Sequence, residues 1–223
     1  MSFWNFLWYN VFMKRKFLLL SIILLVVFSL TSCIDYVQSI SYKDGKYHFY
    51  NKVTFSKLLM EMSDEDVDDF MEEFDEDVVS SLPDFVSANP VETDLEVGAE
   101  ISFSINPKEA TEEQKTFLPK KSGNKYFIPF MFSEEFSSGD FDDYEDDELA
   151  FAIFSSAKCR VLISKKIISK IEDAYFEGTD DENFEIPVFD YGDSFCLEIP
   201  FVIFFESYMY DFDRIVIIKE YVN

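Results

Sequence analysis

One short stretch constrains the fold more than any other. Lys43-Asp44-Gly45-Lys46 separates two alternating runs, residues 36–42 and 47–55. A two-residue Asp-Gly loop favours a type I′ turn, because both central residues must take positive φ. That turn matches the right-handed twist of paired strands. The loop length also fixes the register. Tyr42 falls opposite Tyr47, Ile40 opposite Phe49, Gln38 opposite Asn51 and Tyr36 opposite Val53. Apolar side chains then gather on one face of an antiparallel hairpin, and a second surface must cover them.

The rest of the chain supplies such surfaces. Leu95, Val97, Ala99, Ile101, Phe103 and Ile105 alternate with Glu96, Gly98, Glu100, Ser102 and Ser104. That period of two predicts a strand with one buried and one wet face. Asn106-Pro107 ends it, and a short helix is expected over 108–118. Ser122-Gly123-Asn124 turns the chain into a strand over 125–132, where Pro129 predicts an edge or a bulge. Further strands are expected over 159–163 and 214–221, with a second hairpin formed by 185–191 and 194–205 through Gly192-Asp193. Val67, Phe70, Met71, Phe74, Val78 and Leu82 recur at helical spacing, which predicts a helix within 56–85. Ser63 and Asp66 form its capping-box-like start. Ile167, Ile168, Ile171, Ala174 and Tyr175 predict another helix over 165–176. Residues 133–147 read as an acidic loop, and 148–156 fit helix or strand equally. The expected class is α+β: a mainly antiparallel sheet with two or three helices.

The leading segment reads as an address. Lys14, Arg15 and Lys16 precede an apolar block of 14 residues, 17–30, broken only by Ser21 and Ser29. This is shorter than the ~20 residues that a helix needs to cross hydrocarbon. It fits the basic and apolar regions of a secretory signal. The block ends in Leu30-Thr31-Ser32-Cys33, which resembles the lipobox of bacterial lipoproteins. The resemblance implies cleavage between Ser32 and Cys33 and acyl chains on Cys33. It places the chain in the cell envelope, membrane-anchored by lipid, on the periplasmic or the exposed side of either membrane. Two or more acyl chains hold a protein stably to a bilayer, at ~0.8 kcal/mol per buried CH₂, where one holds it marginally. Residues 1–12, MSFWNFLWYNVF, are uncharged and aromatic and precede the basic triplet. A signal begins with its positive residues, so Met13 is the expected start. A longer leader interrupted by the triplet is the competing reading. Residues 33–223 are expected to form a single domain. Their wording, CIDYVQSISYKDGKYHFYNKVTFSKLL and IPVFDYGDSFCLEIPF, resembles uncharacterised spirochaete lipoproteins. That likeness implies an envelope location and carries no catalytic residue.

Charge and residue counts exclude several functions. The 32 leading residues hold three basic and no acidic side chains, so 16 basic groups remain against 44 acidic, a net of −28. Such a surface opposes nucleic acid, which is bound by neutralising phosphates, and it opposes anionic lipid surfaces. The single histidine, His48, rules out a histidine-based zinc site and reads as a sheet-face side chain rather than a catalytic base. No G-x-G-x-x-G or G-K-[ST] occurs, and no metal or cofactor is expected. Asp64, Asp66, Asp68 and Asp75 match calcium-loop positions, but Asp69 stands where the turn needs glycine. The helical spacing also contradicts a loop there, so that run reads as a solvated helix face; a second acidic run, 139–148, lacks the pattern but lies in an expected loop and is the candidate for a weak, millimolar calcium site. If Cys33 is acylated, Cys159 and Cys196 remain, either bridged, as export permits, or as two buried thiols. No catalytic residues are assigned. The expected role is binding or scaffolding by a lipid-anchored protein that is not an enzyme, with its protein or small-molecule partner unidentified. The competing readings are a carboxylate-dependent hydrolase of envelope polysaccharide and a module for apolar solutes.

Overall fold

The hairpin forms in the expected register. Strands β1 (Ile34–Lys43) and β2 (Lys46–Ser56) pair antiparallel, with Tyr42 opposite Tyr47, Gln38 opposite Asn51 and Tyr36 opposite Val53. Asp44 and Gly45 take φ of 53° and 80°, as a type I′ turn requires. The computed structural model describes residues 34–62, 67, 82–131, 157–178, 182–206 and 210–219. Chain contacts divide the protein into Met1–Ser32 and Cys33–Asn223. All described residues belong to the second unit.

That unit is mainly β, in two sheets. β3 (Ser87–Glu92), β4 (Glu96–Ile105), β7 (Lys158–Ser164), β10 (Val188–Asp190) and β11 (Ser194–Pro200) join the hairpin. The resulting seven-stranded sheet has the order β10-β11-β7-β1-β2-β4-β3. Every pairing in it is antiparallel except β1 with β7. The second sheet contains β5 (Lys120–Ser122), β6 (Lys125–Pro129), β8 (Asp173–Gly178), β9 (Phe184–Glu185) and β12 (Tyr210–Ile218). Its order is β5-β6-β12-β8-β9, antiparallel throughout. Two short helices are described, α1 (Lys57–Met62) and α2 (Glu112–Thr116). No helix among the described residues is long and apolar enough to cross a membrane.

Alternation along the strands explains the core. Ile34, Tyr36, Ile40, Phe49, Phe103 and Ile105 from the first sheet join Ile128, Ala174, Phe176, Ile215 and Ile217 from the second, and Phe130 just past β6, in one apolar cluster. Tyr36 meets Phe130, just past the end of β6, edge-on at 5.8 Å between ring centres. One polar node interrupts this surface. Gln38 is fully buried; its Nε2 donates to the Pro129 carbonyl at 2.7 Å, and its Oε1 accepts from Met131 N–H at 3.1 Å. The amide thereby ties the end of β6 to β1. Pro129 occupies the last position of β6, past Phe127, the last residue paired with β5. Its missing N–H therefore breaks no ladder bond.

Three sequence expectations change. Residues 165–176 are not a helix: a turn at 165–167 leads into β8. In β8, Ala174, Tyr175 and Phe176 are all buried, so both faces are covered, and a doubly buried strand gives the same apolar run as a helix. The strand expected over 194–205 stops at Pro200, and Phe201–Glu206 form a 3₁₀ turn that buries Phe201, Ile203 and Phe204. Leu95 lies outside its strand and is 74 % exposed. Most of the helix expected within 56–85, and residues 133–156, lie outside the described residues.

Candidate functional site

A cleft of about 450 Å³ opens beside β5. It begins with the local chemistry of residues 106–119. Thr111 caps α2: its hydroxyl accepts from Gln114 N–H, and the Gln114 side chain accepts from Thr111 N–H, both at 3.2 Å. Glu112 and Glu113 occupy the positive end of this helix. Lys115 bonds Glu112 at 2.6 Å and holds its carboxyl below the usual range. Phe117 then docks edge-on against Phe103, at 5.4 Å, and Phe85, at 6.4 Å. That anchor presents Thr116, Leu118, Lys120, Lys121 and Ser122 to the cleft.

Register decides which faces meet there. Lys120 pairs with Phe127, Lys121 with Tyr126, and Arg214 with Pro129. Residues opposite one another share a face, so Lys120, Phe127, Pro129 and Arg214 lie together on the sheet side away from the core. Leu118, Phe127 and Pro129 give the cleft its apolar surface. The Arg214 guanidinium lies over the Phe127 ring, 5.4 Å from its centre. It is oriented by Asp211 at 3.3 Å and Glu177 at 3.7 Å, and its side chain stays half exposed. Lys121 sits 5.3 Å over Tyr126. Among the described residues, neither Lys120 nor Lys121 has a carboxylate within ion-pair distance. Asp213 also lines the cleft, and Asp211 and Glu177 already neutralise Arg214, while Lys121 shares the opposite sheet face with Tyr126, so the cleft carries no net positive charge.

The residues singled out from sequence fall elsewhere. Ser32 and Cys33 lie outside the described residues, as do Asp64, Asp66, Asp68, Asp75 and the run 139–148. Cys159 and Cys196 are both buried and both free. They occupy neighbouring strands, yet Cys159 pairs with Ile199 and Cys196 with Leu162. Three positions of offset put the two thiols on opposite faces of the sheet, so the bridged reading gives way to two separate thiols. Burial pushes both thiols up, with Asp35 adding to the shift at Cys159 and Glu198 at Cys196. His48 is on the outer sheet face, as expected, with Nδ1 2.8 Å from Ser104 Oγ and Nε2 3.4 Å from the Lys43 carbonyl. Neither His48 nor Ser104 lines the cleft. No group of three or more His, Cys, Asp or Glu among the described residues could hold a metal.

The cleft was not legible from sequence, because more than 90 residues separate Lys120 from Arg214. The one available signal was adjacent lysines in a chain with more than twice as many acids as bases. No family model, curated protein or solved structure matches this chain.

Proposed function

We propose that this protein is a cell-envelope lipoprotein, anchored through acyl chains on Cys33, whose aqueous domain acts by binding. One observation carries the reading: three basic residues, a 14-residue apolar block and Leu30-Thr31-Ser32-Cys33 occur in register. The division of the chain between Ser32 and Cys33 supports it. The finer fold class, α+β with two or three helices, rests on the helical spacing from Val67 to Leu82 and belongs to the same proposal. Metabolic labelling with palmitate tests the anchor. The wild-type chain is expected to take up label, and Cys33→Ala is expected to lose it. An unlabelled wild type would remove the lipoprotein assignment.

A binding module for a small, largely apolar solute is the second reading, and the cleft beside β5 favours it. Its volume lies within the range of small-molecule sites, and it combines apolar surface with a few convergent polar groups.

A further inference from the structure

We propose that the end of the first sheet where β1 starts rests on a zwitterionic lipid bilayer, with Leu58 and Leu95 seated in its interfacial layer. This surface deepens the lipoprotein reading above and rests on it. Cys33 is bonded to Ile34, so the anchoring residue lies within ~3.8 Å of a backbone already paired with Phe55. The acyl chains are thus joined to the sheet without a spacer, and at its fourth strand of seven. β4 and β7 start at this same end, and β2, β3 and β11 finish there. One row of paired residues, Ile34, Phe55 and Val97, crosses β1, β2 and β4. Leu95 stands two residues past that row and Leu58 three. Lys57 N–H donates to the Leu95 carbonyl at 2.9 Å, which holds the two segments side by side. Thr93 Oγ1 accepts from Leu95 N–H at 3.2 Å and from Glu96 N–H at 3.0 Å, which fixes the turn between β3 and β4. Both leucines stay in the open, Leu58 at 54 % exposure and Leu95 at 74 %.

The anchor decides what covers these leucines. Acyl chains on Cys33 bring a bilayer to this end of the sheet whatever else the domain binds, and apolar side chains at that boundary sink into the layer between head groups and chains. A turn tip is ordinarily built from polar residues and glycine, and here a hydrogen-bonded turn carries a leucine instead. The charges fit a neutral lipid surface. Lys57–Glu92, Lys52–Glu96, Lys158–Glu198 and Arg160–Asp35 pair off four carboxylates at this end. Asp94 at the turn and Glu61 in α1 remain exposed, and together with the net −25 they disfavour an anionic surface. The turns at Asp44-Gly45 and Gly192-Asp193 then face the water. Tyr191, 61 % exposed, precedes the second of these turns, at the end of the sheet away from Ile34, because Ser194 pairs with Ser164 at the finish of β7. It provides an apolar side chain of similar exposure that the bilayer does not reach.

The test is tryptophan quenching of the acylated protein in phosphatidylcholine vesicles, with and without bromine on the acyl chains. Residues 33–223 contain no tryptophan, since Trp4 and Trp8 both precede Cys33. The processed wild type is therefore expected to be silent, and Leu95→Trp, Leu58→Trp and Tyr191→Trp each supply a single reporter. Bromine should remove most of the emission of the first two variants and leave that of Tyr191→Trp unchanged. Equal melting temperatures across the three show that the fold persists. Mixing anionic lipid into the vesicles should weaken the quenching or leave it as it is; stronger quenching would overturn the proposal in favour of a charge-driven contact. Unquenched emission from Leu95→Trp and Leu58→Trp would overturn it too, and a blue shift without quenching would assign the cover to protein, a second copy or a partner. Equal quenching of Tyr191→Trp would remove the preferred end. Palmitate uptake at Cys33 is scored separately. Label without quenching sinks the docking surface alone, whereas an unlabelled wild type that emits from Trp4 and Trp8 sinks the anchor and the surface with it.

Discussion

Two buried polar side chains in the first sheet have opposite consequences. Thr54 is 1 % exposed, and its hydroxyl has no hydrogen-bond partner among the described residues. A buried polar group left unpaired is destabilising by roughly 1–3 kcal/mol, and valine keeps the β-branched shape. Thr54→Val should therefore raise stability by about 1 kcal/mol in urea unfolding; a clear loss would mean that the hydroxyl is satisfied. Gln38 is the reverse case, because its amide serves two backbone groups of another sheet segment. Gln38→Ala strands the Pro129 carbonyl and the Met131 N–H and opens a cavity, for an expected loss of about 2–4 kcal/mol. Gln38→Leu fills the space but leaves both groups stranded. It should recover only part of the loss, and full recovery would show that packing rather than hydrogen bonding sets the cost. The thiols add a pH signature. Cys159 is fully buried, and its folded-state pKa is raised, so the folded state retains a proton that the unfolded chain gives up. Its contribution is fully present below the ordinary thiol pKa of ~8.5 and is lost as pH rises toward the folded value, at up to ~1.4 kcal/mol per pH unit. Stability should fall above about pH 8.5, and Cys159→Val should flatten that fall. An aromatic disulfide reagent should find Cys159 and Cys196 unreactive in the native protein and reactive in denaturant.

At the scale of elements, the hairpin of β1 and β2 shows how much a local signal can settle. Gly45 takes φ of 80°, with nothing within 4 Å of where a Cβ would stand. The penalty in Gly45→Ala is therefore conformational, about 1–2 kcal/mol, with no steric overlap to relieve. Gly98→Ala should be more damaging, because a Cβ there would overlap the Val53 carbonyl on the neighbouring strand. Comparing the two by denaturant unfolding checks the assignment; an equal and small loss at Gly98 would contradict the strand packing. The turn and its flanking alternation lie within twenty residues, so the register was readable from sequence. The alternation of β4 was readable for the same reason, as one of its faces is core and the other wet. The parallel pairing of β1 with β7 was not, since Tyr36 meets Cys159 across more than a hundred residues. Nor was β8, whose covered faces erase the period of two. The cleft belongs with these non-local features. The turn at Gly123 and the short helix before it were legible, but their meeting with Arg214 depends on β12 pairing with β6.

The whole molecule is governed by its charge. Forty-four acids against nineteen bases give −25, and folding brings those charges closer together. The described ion pairs offset little of this repulsion. Lys57–Glu92, Lys115–Glu112, Lys158–Glu198 and Lys165–Asp190 all involve at least one side chain that is mostly exposed. Such pairs contribute ~0–1 kcal/mol each. Salt weakens attraction and repulsion alike, but with so large an excess of one sign the repulsion that it screens is the greater term. Raising sodium chloride from ~10 to ~150 mM shortens the Debye length from ~30 Å to ~8 Å. The melting temperature should rise, by about 2–4 °C for each kcal/mol of repulsion removed. A fall would mean that the ion pairs outweigh the net charge. Calcium chloride at matched ionic strength separates screening from binding. An equal rise means that the acids act only through their summed field. A larger rise at millimolar calcium means that a carboxylate cluster holds the ion, with residues 64–75 and 139–148 the first places to substitute.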